Sequence, residues 1–355
     1  MSRHFRYSAN SGVVACALWL AGWTLLGNVA PLPIEAKPGK MPPGEKIVGP
    51  TECRNCHKAD GTAWANSKHA TSFKTVYKSP QAKEILGKLE LRSMKRGGEC
   101  TGCHFTATIE KGSDKAKVKW GVSCESCHGP AHDWVAIHSN FGPNVKTAAE
   151  EAAAHREERL RSSEELGMIR PVIDNIYQLA TNCFECHTVP NEKLVNTGGH
   201  TAGSAFELVS WSQGEVRHNF AASTNTVNAE ASAETKRIMY VVGRAVDLEH
   251  GLRGYTSATT DDGDYAQAMS KRVAASIERL QEINAARATD EVTSILAAVE
   301  DLSLTVADKD GVNAAIAKVA HGAQQFVTAH AGNAGALAPI DALIPNETKG
   351  QPYTP

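Results

Sequence analysis

The chain has almost no cysteine to spare. Of its nine, Cys16 alone stands outside a repeated pentapeptide, so no pair remains for a structural disulfide. A basic excess is missing too: 37 Lys and Arg face 39 Asp and Glu, and the net charge of −2 excludes a general nucleic-acid binder. No Ser-His-Asp set, phosphate-binding glycine loop or carboxylate constellation calls for hydrolytic or phosphoryl chemistry. Beyond about Ala229 there is no cysteine at all, few aromatics and no signalling motif.

What is present is one motif written four times. Cys53-x-x-Cys56-His57, Cys100-x-x-Cys103-His104, Cys124-x-x-Cys127-His128 and Cys183-x-x-Cys186-His187 all have the spacing of the c-type haem attachment signal. Two thiols two residues apart reach the two vinyl groups of one porphyrin, and the following imidazole reaches the iron as proximal ligand. A zinc ribbon also pairs Cys-x-x-Cys motifs, but it does not require His after each pair. A redox dithiol needs one such motif, not four. The expectation is four covalently attached haems.

Arg3 and Arg6 precede an apolar run from Val13 to Ala30, so residues 1–30 read as a signal peptide or an N-terminal anchor. Cys16 stands before most of that run, which disfavours lipidation there. The body of the protein is expected outside the cytoplasm, in the periplasm, with the anchor as the membrane-bound variant. Residues 31–50 are a Pro-rich linker. The haem-binding unit is expected over 51–222, with the porphyrins serving as its core. Residues 51–128 carry 14 Lys and Arg against eight Asp and Glu, whereas 129–222 carry seven against 12. That asymmetry either offsets haem propionates or makes two faces that steer different redox partners.

The expected fold class is mainly α: a multihaem unit with little regular sheet, then an all-α bundle over 229–345 and a flexible tail over 346–355. Apolar stripes at helical spacing run through Ile238, Val242, Ala245, Leu248 and Leu252, and through Met269, Val273, Ile277 and Leu280. Thr289 marks a helix start leading to Ile295, Val299 and Leu302, and a last stripe passes Val312, Ile316, Val319, Ala323, Phe326 and His330. Such helices form an antiparallel bundle or pack on the haem unit, and are a surface for dimerisation or docking.

Ten histidines remain for second axial positions. Trp64 and Ser67-Lys68-His69-Ala70 follow the first motif; the third lies in Gly121-Val122-Ser123-Cys124-Glu125-Ser126-Cys127-His128-Gly129-Pro130, with His138 ten residues on. Over roughly 51–222 this arrangement resembles the tetrahaem cytochrome c-554 family. The resemblance implies that His69 ligates the third haem opposite His128 and that His138 ligates the first opposite His57. It implies a five-coordinate second haem on His104, and a fourth haem on His187 that takes its ligand from downstream. His218 is assigned to the fourth haem by its separation. His200 ligates the second iron, stands over it as a distal proton donor, or replaces His218 at the fourth. Gly198 and Gly199 before it let backbone approach a porphyrin closely.

His132 is an alternative to His138 with a short offset. His155 reads as a solvated helix residue, His250 and His321 as surface, and His330 as a core or capping histidine. Met94 and Met168 lie near motifs with nothing to place their sulfurs on iron. Arg217 is a candidate propionate partner. The functional expectation is electron transfer between a redox donor and acceptor. The competing one is an enzyme acting on a small nitrogen compound at an open second haem, with His200 as the distal residue.

Overall fold

The computed structural model describes residues 43–96, 98–220, 223 and 226–355. The expected export segment, Cys16 and the linker up to residue 42 lie outside the described residues. Among these residues no helix is long and apolar enough to cross a membrane.

Short helices make up the first half. Pro50 opens α1 (Pro50–Cys56), where its missing N–H is no loss, and α2 (Lys58–Asn66) follows. Ser67 caps α3 (Lys68–Thr75) by accepting from the Ala70 N–H, and Ser79 caps α4 (Pro80–Lys88) through the Ala82 N–H. After α5 (Gly98–His104) the chain forms a two-stranded antiparallel sheet, β1 (Thr106–Ile109) and β2 (Ala116–Trp120). Thr106 pairs with Trp120 and Ile109 with Ala116, with a register shift between Thr106 and Ala107. Next come α6 (Cys124–His128), α7 (Val135–His138), α8 (Ala153–Glu165), α9 (Ile176–His187) and α10 (Leu208–Ser212). The apolar clusters here are small and separate, such as Ala82, Met94, Cys100 and Phe105, or Ala131, Trp134 and Met168. Met94 and Met168 are therefore core residues.

The second half holds the main core. It consists of α11 (Ala233–Ser257), α12 (Asp264–Ala286), α13 (Asp290–Ala297) and α14 (Lys309–His330), closed by a 3₁₀ segment at Ala334–Leu343. Thr289 caps α13 by accepting from the Val292 N–H. The fold is thus mainly α with a single two-stranded sheet among the described residues. Ile238, Val242, Leu248 and Leu252 are essentially inaccessible, and burial of each such side chain contributes about 1.5–3 kcal/mol.

α11 is not a one-sided amphipathic helix. It is packed by α12, α14 and α9 at once, so Ile176, Ala180 and Phe184 of α9 belong to the same apolar core as the C-terminal helices. The fourth motif therefore stands on the bundle. This surrounding also corrects two expectations. His250, read as surface, is 5% exposed against Phe184, and its neighbour Glu249 is buried under Tyr177 and Arg253. The tail is not loose either. Lys349 N–H donates to Ser210 O at 2.8 Å, Glu215 N–H donates to Lys349 O at 3.0 Å, and Asn228 donates to Tyr353 O at 2.9 Å. A polar segment reads as mobile in sequence, but here its backbone groups find partners on the loop before α11.

Candidate haem-binding site

Each motif occupies the end of a helical turn, with its histidine as the last or capping residue: His57 after α1, His104 at the end of α5, His128 of α6 and His187 of α9. That geometry turns both thiols and the imidazole to one side. The imidazoles of the four motifs each face a second ring. His57 lies opposite His138 at 6.1 Å between ring centres, His104 opposite His200 at 6.3 Å, His128 opposite His218 at 6.0 Å and His187 opposite His69 at 6.3 Å.

The distances are informative because the rings are too far apart to be in contact. A metal–imidazole bond of about 2.0 Å, with roughly 1.1 Å more to the ring centre, sets two trans imidazoles on one metal about 6.2 Å apart. All four pairs match the spacing of two imidazoles across an iron.

The pairing differs from the expected one. The resemblance matched His69 to His128, and sequence separation matched His218 to His187; their partners are exchanged. Gly121 packs against the carbonyl oxygens of His69 and Ala70, holding α3 along β2, and this carries the His69 ring towards His187. His218 sits in the loop held by the C-terminal tail and reaches His128 instead. His200 follows a π-helical turn at Lys193–Thr197, and Gly199 adopts φ +73° to bring it against His104. A second motif with an open face is therefore not what the rings describe.

The surroundings suit a porphyrin. His104, His138 and His187 are pushed down to about 4 by burial first and by neighbouring positive groups second, while burial also lowers His69 and His128. Such imidazoles stay neutral, with a lone pair free for a metal. Their outer nitrogens are oriented by the chain. His128 Nδ1 lies 2.8 Å from Ile169 O, His200 Nδ1 2.8 Å from Thr201 O, His218 Nδ1 2.6 Å from Val216 O and His187 Nδ1 3.2 Å from Ser204 Oγ. Asp60, 3.7 Å from His57 Nδ1, raises that imidazole instead.

A cavity of about 720 Å³ runs between the second and fourth motifs, lined by their cysteines and histidines with Phe105, Phe206 and Trp211. Several buried donors have no protein partner: Trp134 Nε1, His138 Nδ1 and Arg217 Nε. A carboxylate-bearing group nearby would satisfy them, and Arg217 is the sequence candidate for that task.

Cysteines of different motifs also meet. Cys53 and Cys124 lie within hydrogen-bonding reach, as do Cys103 and Cys186, and Cys127 lies close enough to Cys183 to raise it beyond the effect of burial. The remaining histidines do other work. His132 pairs with Asp133, His155 with Glu151 and His330 with Glu291, while His321 is exposed.

Sequence reasoning missed two supports. Glu125, inside the third motif, is 1% exposed and accepts the N–H groups of Val48, Gly49 and Ala131, tying the segment before α1 to α6. An acidic residue between two motif cysteines is the signal that was available. Arg159 of α8, held by Glu151, donates to His138 O.

Residues 52–129 match the family described as cytochrome c554 and c-prime. Cytochrome c-554 of Nitrosomonas europaea is 32% identical over 101 residues, 26% of this chain and 43% of that protein. The match thus spans less than half of the relative's length. No solved structure matches the chain.

Proposed function

From the premise that the chain is cytochrome c554-like over its first three motifs, we propose an exported, periplasmic tetrahaem c-type cytochrome that passes electrons between a donor and an acceptor protein. The observation that carries this reading is the set of four imidazole pairs at 6.0–6.3 Å. When bound, each haem supplies an iron that takes up and gives back one electron.

The chain's residues do the rest. Cys53 and Cys56, Cys100 and Cys103, Cys124 and Cys127, and Cys183 and Cys186 each anchor one porphyrin. His57, His104, His128 and His187 would hold the irons, together with His138, His200, His218 and His69 in turn. Two imidazoles held from separate segments resist movement between oxidation states, so little reorganisation opposes transfer. The cysteine contacts support a relay order of first, third, fourth and second motif. The basic 51–128 segment and the acidic 129–222 segment support docking of partners with opposite charge. Export rests on Arg3, Arg6 and the apolar run to Ala30.

Chemistry on a small nitrogen compound needs a free face at His104, and His200 occupies that face in this reading. Mass spectrometry of the mature protein should find four covalent haems. Its oxidised EPR spectrum should contain low-spin signals alone, unchanged by nitric oxide. A wild-type high-spin signal that takes up nitric oxide would overturn the carrier reading in favour of the enzyme.

A further inference from the structure

Asp247 and Arg272 belong to α11 and α12, far outside the segment that resembles known proteins. Their side chains are 10% and 11% exposed, and Arg272 Nη1 donates to Asp247 Oδ1 at 2.5 Å. The other end of the guanidinium leaves the bundle: Nη2 donates to Ser204 O at 2.7 Å. Ser204 in turn is wrapped on His187. Its N–H donates to His187 O at 2.9 Å, and its Oγ lies 3.2 Å from His187 Nδ1. With Nε2 turned to a metal, Nδ1 carries the proton and donates it to that hydroxyl.

The backbone is shaped around this contact. At Gly203, φ is +85°, and a Cβ would meet Arg272 Nη2 at 2.7 Å and the carbonyl oxygens of His187 and Thr188 at 3.0 Å. A side chain there would displace the guanidinium. Phe206 stacks on the His187 ring at 4.5 Å and Trp211 meets it edge-on at 4.9 Å. Those two rings cover the His187 imidazole, and the charged pair itself is nearly buried, so water screens the interaction little.

We infer that Arg272, held by Asp247, is a positioning residue that sets the reduction potential of the fourth haem through Ser204 and His187. The C-terminal helices thereby tune one haem of the four. This rests on the reading that Cys183 and Cys186 carry a haem with His187 as its proximal ligand.

The sign follows from charge. Ferric iron plus one electron gives ferrous iron, so the site loses one positive charge on reduction. A nearby cation favours the reduced form and a nearby carboxylate the oxidised form. The cationic member of the pair is the one that touches Ser204, with Asp247 behind it. Removing Arg272 takes away the larger of two cationic influences on Asp247, leaving Arg244 beside it, and removing the Asp247 charge leaves Arg272 without its carboxylate. The two changes must move the same haem in opposite directions.

The test is a spectroelectrochemical titration of the four-haem protein, read with EPR at successive potentials. In Arg272→Gln one of the four steps shifts to lower potential by about tenfold in its reduced-to-oxidised ratio, roughly 59 mV for one electron. Asp247→Asn shifts that same step upward, and Arg272→Lys restores it. Ser204→Ala, which removes the acceptor of the Nδ1 proton but keeps the backbone carbonyl on Arg272, also raises it and serves if an ion-pair variant fails to fold. Four unmoved steps in Arg272→Gln, or shifts of the same sign in Arg272→Gln and Asp247→Asn, would overturn the inference. A wild-type protein without a haem on Cys183 and Cys186 instead overturns the reading beneath it, and the haem mass shows that separately.

Discussion

His104 and His200 face each other with 6.3 Å between ring centres, although 96 residues separate them in the chain. The spacing leaves room for one metal between two nitrogens and for nothing else along that axis. It makes His200 the residue on which the second site turns.

In His200→Ala one low-spin haem becomes high-spin and binds one nitric oxide per protein, where the wild type binds none. EPR and an optical titration with nitric oxide read this directly. A variant whose spectrum is unchanged would remove His200 from the ligand set.

The exchanged partners of His69 and His218 can be separated in a protein that lacks the fourth haem. With Cys183→Ala and Cys186→Ala in place, adding His69→Ala creates no new high-spin signal, because the haem it serves is gone. Adding His218→Ala does create one, at the third haem. The opposite pattern would restore the pairing expected from the sequence.

Glu125 is buried and accepts three backbone N–H groups, so Glu125→Ala strands donors in an interior site. Loss of hydrogen bonds to a charged group should cost about 2–4 kcal/mol, measurable by denaturant unfolding. Axial ligation at the first and third haems should fail before that at the others, since Val48 and Gly49 lead into α1.

Acid acts through Glu151. Hydrogen bonding to Arg159 first, and to His155 after it, holds its carboxyl down to about 2 against an ordinary 4.5. A folded-state value below the unfolded one means stability that is complete above pH 4.5 and drains away as pH falls towards 2. The His138 segment, which Arg159 grips, should come off the first iron in that window while the haem stays covalently attached, as followed by its Soret band. Glu151→Gln should show the loosened state already at pH 7 and little further change on acidification.

How legible was this molecule in its sequence? Covalent chemistry dictates the Cys-x-x-Cys-His spacing, so the candidate attachment cysteines and the histidine that goes with each pair can be read residue by residue. The stripe from Ile238 to Leu252 and the cap at Thr289 are local, and they place the helices correctly. Partner choice among His69, His138, His200 and His218 is not local. It depends on how α3 lies along β2 and where the loop before α11 is held, and neither leaves a periodic trace. Burial on every side of α11 is equally silent, because Asp247 and Glu249 are matched by Arg272 and Tyr177 from other elements, with Arg253 of α11 itself also on Glu249, and His250 packs against Phe184 of α9.

The docked tail has a bearing on the second imidazole at the third motif. Lys349 and Tyr353 brace, through their backbone groups, the loop that places His218 opposite His128. The tail is thus a latch on that loop: removing residues from Lys349 onward should leave Cys124 and Cys127 able to take a porphyrin while His218 is no longer held across from His128.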